Sequence, residues 1–157
     1  MSMSTSAAHV AAVLRGLGAA GTVQTFAREV PTAAAAAAEL GCDVGAIANS
    51  LVFACGDDPL LVLTSGAHRV DTRMVARLLG VPKISRATPE FVLAATGQEV
   101  GGVAPVGHPA PVSTIVDTWL TKYDVVWAGA GDHLSMFPTT FEELVRLTGG
   151  RPAEVGA

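Results

Sequence analysis

Two glycine-rich runs are the places where this sequence could do chemistry. The first is Gly101-Gly102-Val103-Ala104-Pro105-Val106-Gly107-His108-Pro109-Ala110-Pro111. Three glycines and three prolines in eleven residues exclude a helix. Adjacent glycines let the backbone approach a ligand closely and turn N–H groups into a cavity. Pro105 would stiffen the run, so such donors would be in place before a ligand arrives. Fixed donors suit a developing oxyanion. The same run also reads as a wide turn between strands. The second run, Gly129-Ala130-Gly131-Asp132-His133, follows an apolar strand-like segment and resembles a pocket wall. There Asp132 either orients His133 or stands in solvent with it.

Other chemistries lack their residues. No phosphate-binding P-loop, dinucleotide fingerprint, G-x-S-x-G elbow or H-E-x-x-H pair is present. His9, His68, His108 and His133 show no ligand-like spacing, so no metal or other cofactor is expected. Ser65 with His68 does not by itself define a nucleophile and base. Cys42 and Cys55 form no C-x-x-C and read as structural thiols.

Charge narrows the partner. The formal net charge is −4, which excludes a generic polyanion binder. Yet Arg69, Arg73, Arg77, Lys83 and Arg86 face only Asp71 in their stretch, a local balance of +4 against −8 elsewhere. Such a patch suits contact with a few phosphates, or is simply a solvated helix face.

These residues need a scaffold, and 157 residues suffice for one domain with its own core. With 50% hydrophobic and 15% charged residues, disorder and coiled coil are excluded. The apolar runs Ala33–Leu40 and Ile47–Cys55 are too short for a membrane span. The start carries no signal-like charge pattern, so a cytoplasmic protein is expected. Helices are predicted over about Ser6–Leu17, Ala33–Leu40 capped by Thr32, Thr72–Leu79 capped by Asp71, Pro89–Thr96 capped by Thr88, and a last one from Thr140 to Leu147. Strands are predicted near Thr22–Phe26, Ile47–Cys55, Leu60–Thr64, Lys83–Ser85, Val112–Val116, Asp124–Ala128 and Leu134–Phe137. The four residues Gly56-Asp57-Asp58-Pro59 read as the turn of a hairpin. The expected fold is a single α/β domain (an N-terminal helix over 1–20, then 21–157) around a mixed, partly antiparallel sheet.

Three segments in order carry a family resemblance: Ala46-Ile47-Ala48-Asn49-Ser50-Leu51-Val52-Phe53; Arg69-Val70-Asp71 opening a helix that ends Leu78-Leu79-Gly80; and Gly97 followed by Gly101 to Gly107. Together they resemble the YbaK/prolyl-tRNA editing domain family of trans-editing deacylases, over roughly Gly21 to Leu147. The resemblance implies a compact α/β editing domain that hydrolyses the ester of a mischarged tRNA, typically alanyl- or cysteinyl-tRNA for proline, without metal. It implies the acceptor end of that tRNA as partner, with a synthetase as a further candidate. Carried over residue by residue, Gly101 and Gly102 would offer backbone donors to the carbonyl, and Pro105 and Gly107 would fix the loop. His108, Gly129, Gly131 and Asp132 would line the substrate site. His133, with Asp132, would serve the amino end or a water. Arg69, Arg73 and Arg77 would meet phosphates. One position departs from the family: where many members carry lysine, this chain has Asn49. That departure keeps open a non-catalytic module binding a tRNA end, a nucleotide or a small amino acid. A hydrolase of small esters is a third reading.

Overall fold

The hairpin at the centre of the sheet follows directly from its residues. In the computed structural model, which describes residues 3–157, strand β2 (Ile47–Cys55) pairs antiparallel with β3 (Asp58–Ser65), from Ala48↔Ser65 to Cys55↔Asp58. The turn between them is two residues, not the expected four. Gly56 has φ +63°, the left-handed geometry that a tight hairpin requires, so Asp58 and Pro59 belong to the strand. Pro59 is tolerated because the ladder on the far side of β3 starts one residue later, at Leu60↔Ser113.

Around this hairpin the sheet is mixed. In spatial order the strands are β1 (Gln24–Thr25), β7 (Ser135–Thr139), β6 (Val126–Gly129), β2, β3, β5 (Ser113–Asp117) and β8 (Arg151–Ala153), with β4 (Ser85–Arg86) also pairing β2. The β2–β6, β3–β5 and β5–β8 pairs are parallel, and the others antiparallel. β8 is absent from the sequence reading. Arg-Pro-Ala has no strand signature and pairs only along the sheet edge, where proline is allowed.

Five helices cover the sheet: α1 (Thr5–Gly16), α2 (Ala33–Leu40), α3 (Thr72–Leu79), α4 (Pro89–Thr96) and α5 (Phe141–Thr148). Ser4, Thr32, Asp71, Thr88 and Thr140 cap them, and Gly41, Gly80, Gly97 and Gly149 end the last four in the left-handed conformation. α1 buries Ala7, Val10, Ala11 and Leu14, one stripe at helical spacing. Val10 and Leu14 join the main core with Leu61, Leu63, Val116 and Phe137. The opposite face of β3, Leu60 and Val62, packs with Val75 of α3. A third cluster joins α2 to Ile47 and Met136. Among the described residues no helix is long and apolar enough to cross a membrane.

At the end of β5 a buried carboxylate ties three segments together. Asp117 accepts from the Ser65 amide at 2.9 Å, the Trp119 amide at 2.9 Å and His68 Nδ1 at 2.9 Å. Removing it would leave buried donors unpaired. Asp117→Ala is expected to lower the unfolding free energy by about 3 kcal/mol, seen as a lower urea midpoint with an unchanged slope.

Candidate active site

The first half of β2 forms the floor of a pocket. Its parallel neighbour β6 (Ile47↔Trp127, Ala48↔Ala128) runs on into the Gly129–His133 loop, which closes one side. The N-terminal turn of α2, with Val30 to Ala33, closes another, and Gly101 and Val103 close a third. The cavity volume is about 30 Å³, room for about two waters or one short side chain.

Asn49, Gly101, Gly129 and Asp132, named from the sequence, all line this pocket. The Asn49 amide makes no hydrogen bond among the described residues, so its donors and acceptor are open to a ligand. Asp132 is the one charged side chain in the lining among the described residues. Its Oδ1 accepts from the Leu134 amide at 2.8 Å and its Oδ2 from the Ser4 hydroxyl. Partial burial pushes its pKa up. The Ser4 hydroxyl, the Leu134 amide, the nearby Ser135 hydroxyl and His133 together outweigh that and bring it below the usual carboxylate value. Asp132 is therefore a carboxylate at neutral pH.

Two glycine loops meet backbone to backbone beside it. The Gly131 N–H donates to the Gly102 carbonyl at 2.9 Å. A Cβ on Gly102 would sit 2.8 Å from Asp132 backbone atoms, and one on Gly129 would sit 2.9 Å from the Val103 carbonyl. This corrects the expected donor role of Gly102, whose N–H already donates to the Glu99 carbonyl at 3.0 Å. The amides of Gly101 and Val103 are the ones without a partner among the described residues.

His133 does not line the pocket. Its Nε2 bonds the Val100 carbonyl at 2.8 Å, and its own carbonyl accepts from the Val30 amide at 2.6 Å, so it joins three segments of the rim. Gly131, at φ +106°, lies just behind, against Ser6. Pro105, Gly107 and His108 are placed elsewhere, lining a separate depression with Val13, Leu17 and Leu147. There the His108 ring donates to the Ala104 carbonyl at 2.8 Å, and burial holds its pKa below the ordinary histidine value. Arg69, Arg73 and Arg77 are exposed and none reaches the pocket. Their row begins just beyond Gly66, where a side chain would strike Ala33 at the start of α2, a pocket-lining residue. Both cysteines are free and half-buried, and burial, then Asp43, pushes the Cys42 thiol up.

The sequence reading missed several residues that build the site. Gln98, 3% exposed, takes the Ala104 amide at 2.6 Å and gives its own amide to the Val106 carbonyl at 3.2 Å, bracing the Gly101–Gly107 loop. Ser50 and Ser135 line the pocket; the Ser50 hydroxyl is buried without a hydrogen-bond partner, and the buried Ser135 hydroxyl lies near the Asp132 carboxylate. Nothing local marks them. Strand alternation places Ser50 on the face opposite to Asn49, so the pattern of β2 gives no signal for it either.

Comparison with known proteins converges on one group. A family model described as an aminoacyl-tRNA editing domain matches residues 27–147. YwhH of Bacillus subtilis, an uncharacterised protein, is 30% identical over 123 residues, 78% of this chain and 78% of its own. A proline–tRNA ligase of Nitratidesulfovibrio vulgaris is 34% identical over 104 residues; the match covers 63% of this chain and 18% of the ligase. A crystal structure described provisionally as a trans-editing enzyme for prolyl tRNA synthetase is 38% identical, with TM-score 0.91 and 99% of both chains covered.

The loop contact generates a test. In Gly102→Ala the new methyl group meets backbone, which cannot swing aside. The variant is expected to lose about 1–3 kcal/mol of stability, seen in the thermal midpoint, with hydrogen exchange faster at the Gly131 amide than in wild type.

Proposed function

The chain belongs to the aminoacyl-tRNA editing domain family, and on that premise we propose that it hydrolyses the ester of tRNAs mischarged with a small amino acid. The observation that carries this reading is the pocket's charge. Among the described residues its lining holds one carboxylate, Asp132, and no cation. A free amino acid ester offers one cation, its α-ammonium, and a charge-assisted hydrogen bond to a fixed carboxylate is the strong kind. The cavity beyond admits only a short side chain, and the Ser50 hydroxyl can complete its hydrogen bonds to it or to water.

In this reading Asn49 hydrogen-bonds the ester or the ribose. The Gly101 and Val103 amides are the donors available to the carbonyl oxygen as charge develops on it. Water attacks the carbonyl carbon, the bond to the ribose oxygen breaks, and that oxygen leaves with a proton. The lining contains no histidine, cysteine or lysine. Proton transfer is therefore assigned to water and to the substrate's neighbouring ribose hydroxyl. Arg69, Arg73 and Arg77 are proposed to meet phosphates of the acceptor end, with the tRNA leaving the pocket past the start of α2. A binding module that holds the same group without turnover is the second reading, favoured by Asn49 where a lysine would supply charge.

Single-turnover deacylation across tRNAs carrying alanine, serine, cysteine, threonine and proline tests the reading. Hydrolysis of a small-residue ester is expected, with Asp132→Asn lowering kcat/KM by about 10- to 100-fold and N-acetylation of the aminoacyl group abolishing turnover. Tight binding of every tRNA with no ester loss would establish the module instead. The basic row has its own readout. Replacing Arg69, Arg73 and Arg77 together by Gln is expected to reduce the salt dependence of tRNA affinity by about three phosphate contacts, each about 0.7–0.9 in slope. An unchanged slope removes the row from the interface.

A further inference from the structure

We propose that the first turn of α1 is part of the editing site, with Ser4 as the positioning residue that holds Asp132 in place. The inference rests on the reading of Asp132 as the ammonium partner. Residues 4 and 132 are 128 apart in sequence, yet the Ser4 hydroxyl donates to Asp132 Oδ2. The hydroxyl is aimed by a second bond, since Ser4 Oγ accepts from the Ala7 amide at 3.0 Å. With Oδ1 held by the Leu134 amide at 2.8 Å, both carboxylate oxygens are fixed and the plane of the group is set. Two positions on, the Ser6 hydroxyl donates to the Gly131 carbonyl at 2.8 Å, so the same turn also grips the residue before Asp132.

The helix behind the turn is anchored in the core. Ala7, Val10, Ala11 and Leu14 are buried, and they fix the axis of α1 against the sheet. Ser4 thus reports the position of the core to the rim of the pocket. The segment matched by the family model begins at residue 27. One hydrogen-bond partner of Asp132 is therefore supplied by chain outside that segment. A purely structural role for Ser4, as the cap of α1, makes a different forecast. A cap is served almost as well by glycine, which removes the hydroxyl but adds neither charge nor bulk.

The test uses full-length wild type, Ser4→Gly and Ser4→Thr. Each is measured for thermal midpoint, for the titration of the Asp132 carboxyl by carbon NMR, and for kcat and KM of deacylation as a function of pH. In Ser4→Gly the donor that stabilises the carboxylate is gone, so the Asp132 midpoint is expected to move to higher pH. The acid limb of activity should follow it upward. KM is expected to rise about tenfold, with kcat changed less and the thermal midpoint nearly that of wild type. Ser4→Thr keeps both bonds and is expected to restore the wild-type titration and KM. The proposal is overturned if Asp132 titrates identically in wild type and Ser4→Gly, or if any loss of activity merely tracks a loss of thermal stability. Should wild type deacylate nothing, the functional reading fails on that assay alone, while the carboxyl titration still decides whether Ser4 holds Asp132.

Discussion

Two stretches of backbone, 101–103 and 129–132, lie against each other with no side chain between them, and the pocket exists because they do. The Gly131 amide bonds the Gly102 carbonyl at 2.9 Å, and a methyl group on Gly102 or Gly129 would overlap main-chain atoms of the other stretch. This contact brings the end of β6 beside the loop that follows α4. It places Asp132 in the lining of the same cavity as Asn49 of β2. Glycine is needed here for close approach more than for dihedral freedom, since at Gly102 and Gly129 only the space is lacking.

The rest of the site can be described as support for that contact. Gln98 braces one stretch from within the core, and His133 straps it to the other through the Val100 carbonyl. Ser4 and Ser6 hold the second stretch from α1. A small cavity with one negative charge and several uncommitted neutral donors results. Its polarity suits a short group bearing a cation next to a carbonyl, which is the shape of an aminoacyl ester. The family model that matches the chain is described as an aminoacyl-tRNA editing domain, and an aminoacyl-tRNA carries such an ester.

What could be read from the sequence divides along physical lines. Helix ends are set by local bonds, so Thr32, Asp71, Thr88 and Thr140 as caps and Gly41, Gly80 and Gly97 as stops were legible, and so was the hairpin. The two glycine runs were visible because composition marks them. Their division was not. Pro105, Gly107 and His108 follow Gly102 closely in the chain but turn to a different depression, because Gln98 and the His108 bond to Ala104 curl the loop away. The direction of an N–H group has no signature either, and so Gly102 was read as a free donor when Glu99 already holds it. β8 and the serines of α1 were invisible for a related reason. Their partners lie far away in sequence, and short polar or proline-bearing segments carry no periodicity.

The central claim is that the α-ammonium of a small aminoacyl group sits on Asp132 while its carbonyl faces Asn49 and the amides of Gly101 and Val103. The most direct measurement is a crystal structure with a non-hydrolysable, amide-linked alanyl or seryl adenosine. The account predicts the ammonium within hydrogen-bonding distance of an Asp132 oxygen, the side chain in the cavity beside Ser50 and Ser135, and the adenosine outside, toward the start of α2. An aminoacyl group lodged in the Pro105–His108 depression, or bound with its amino end away from Asp132, would contradict it.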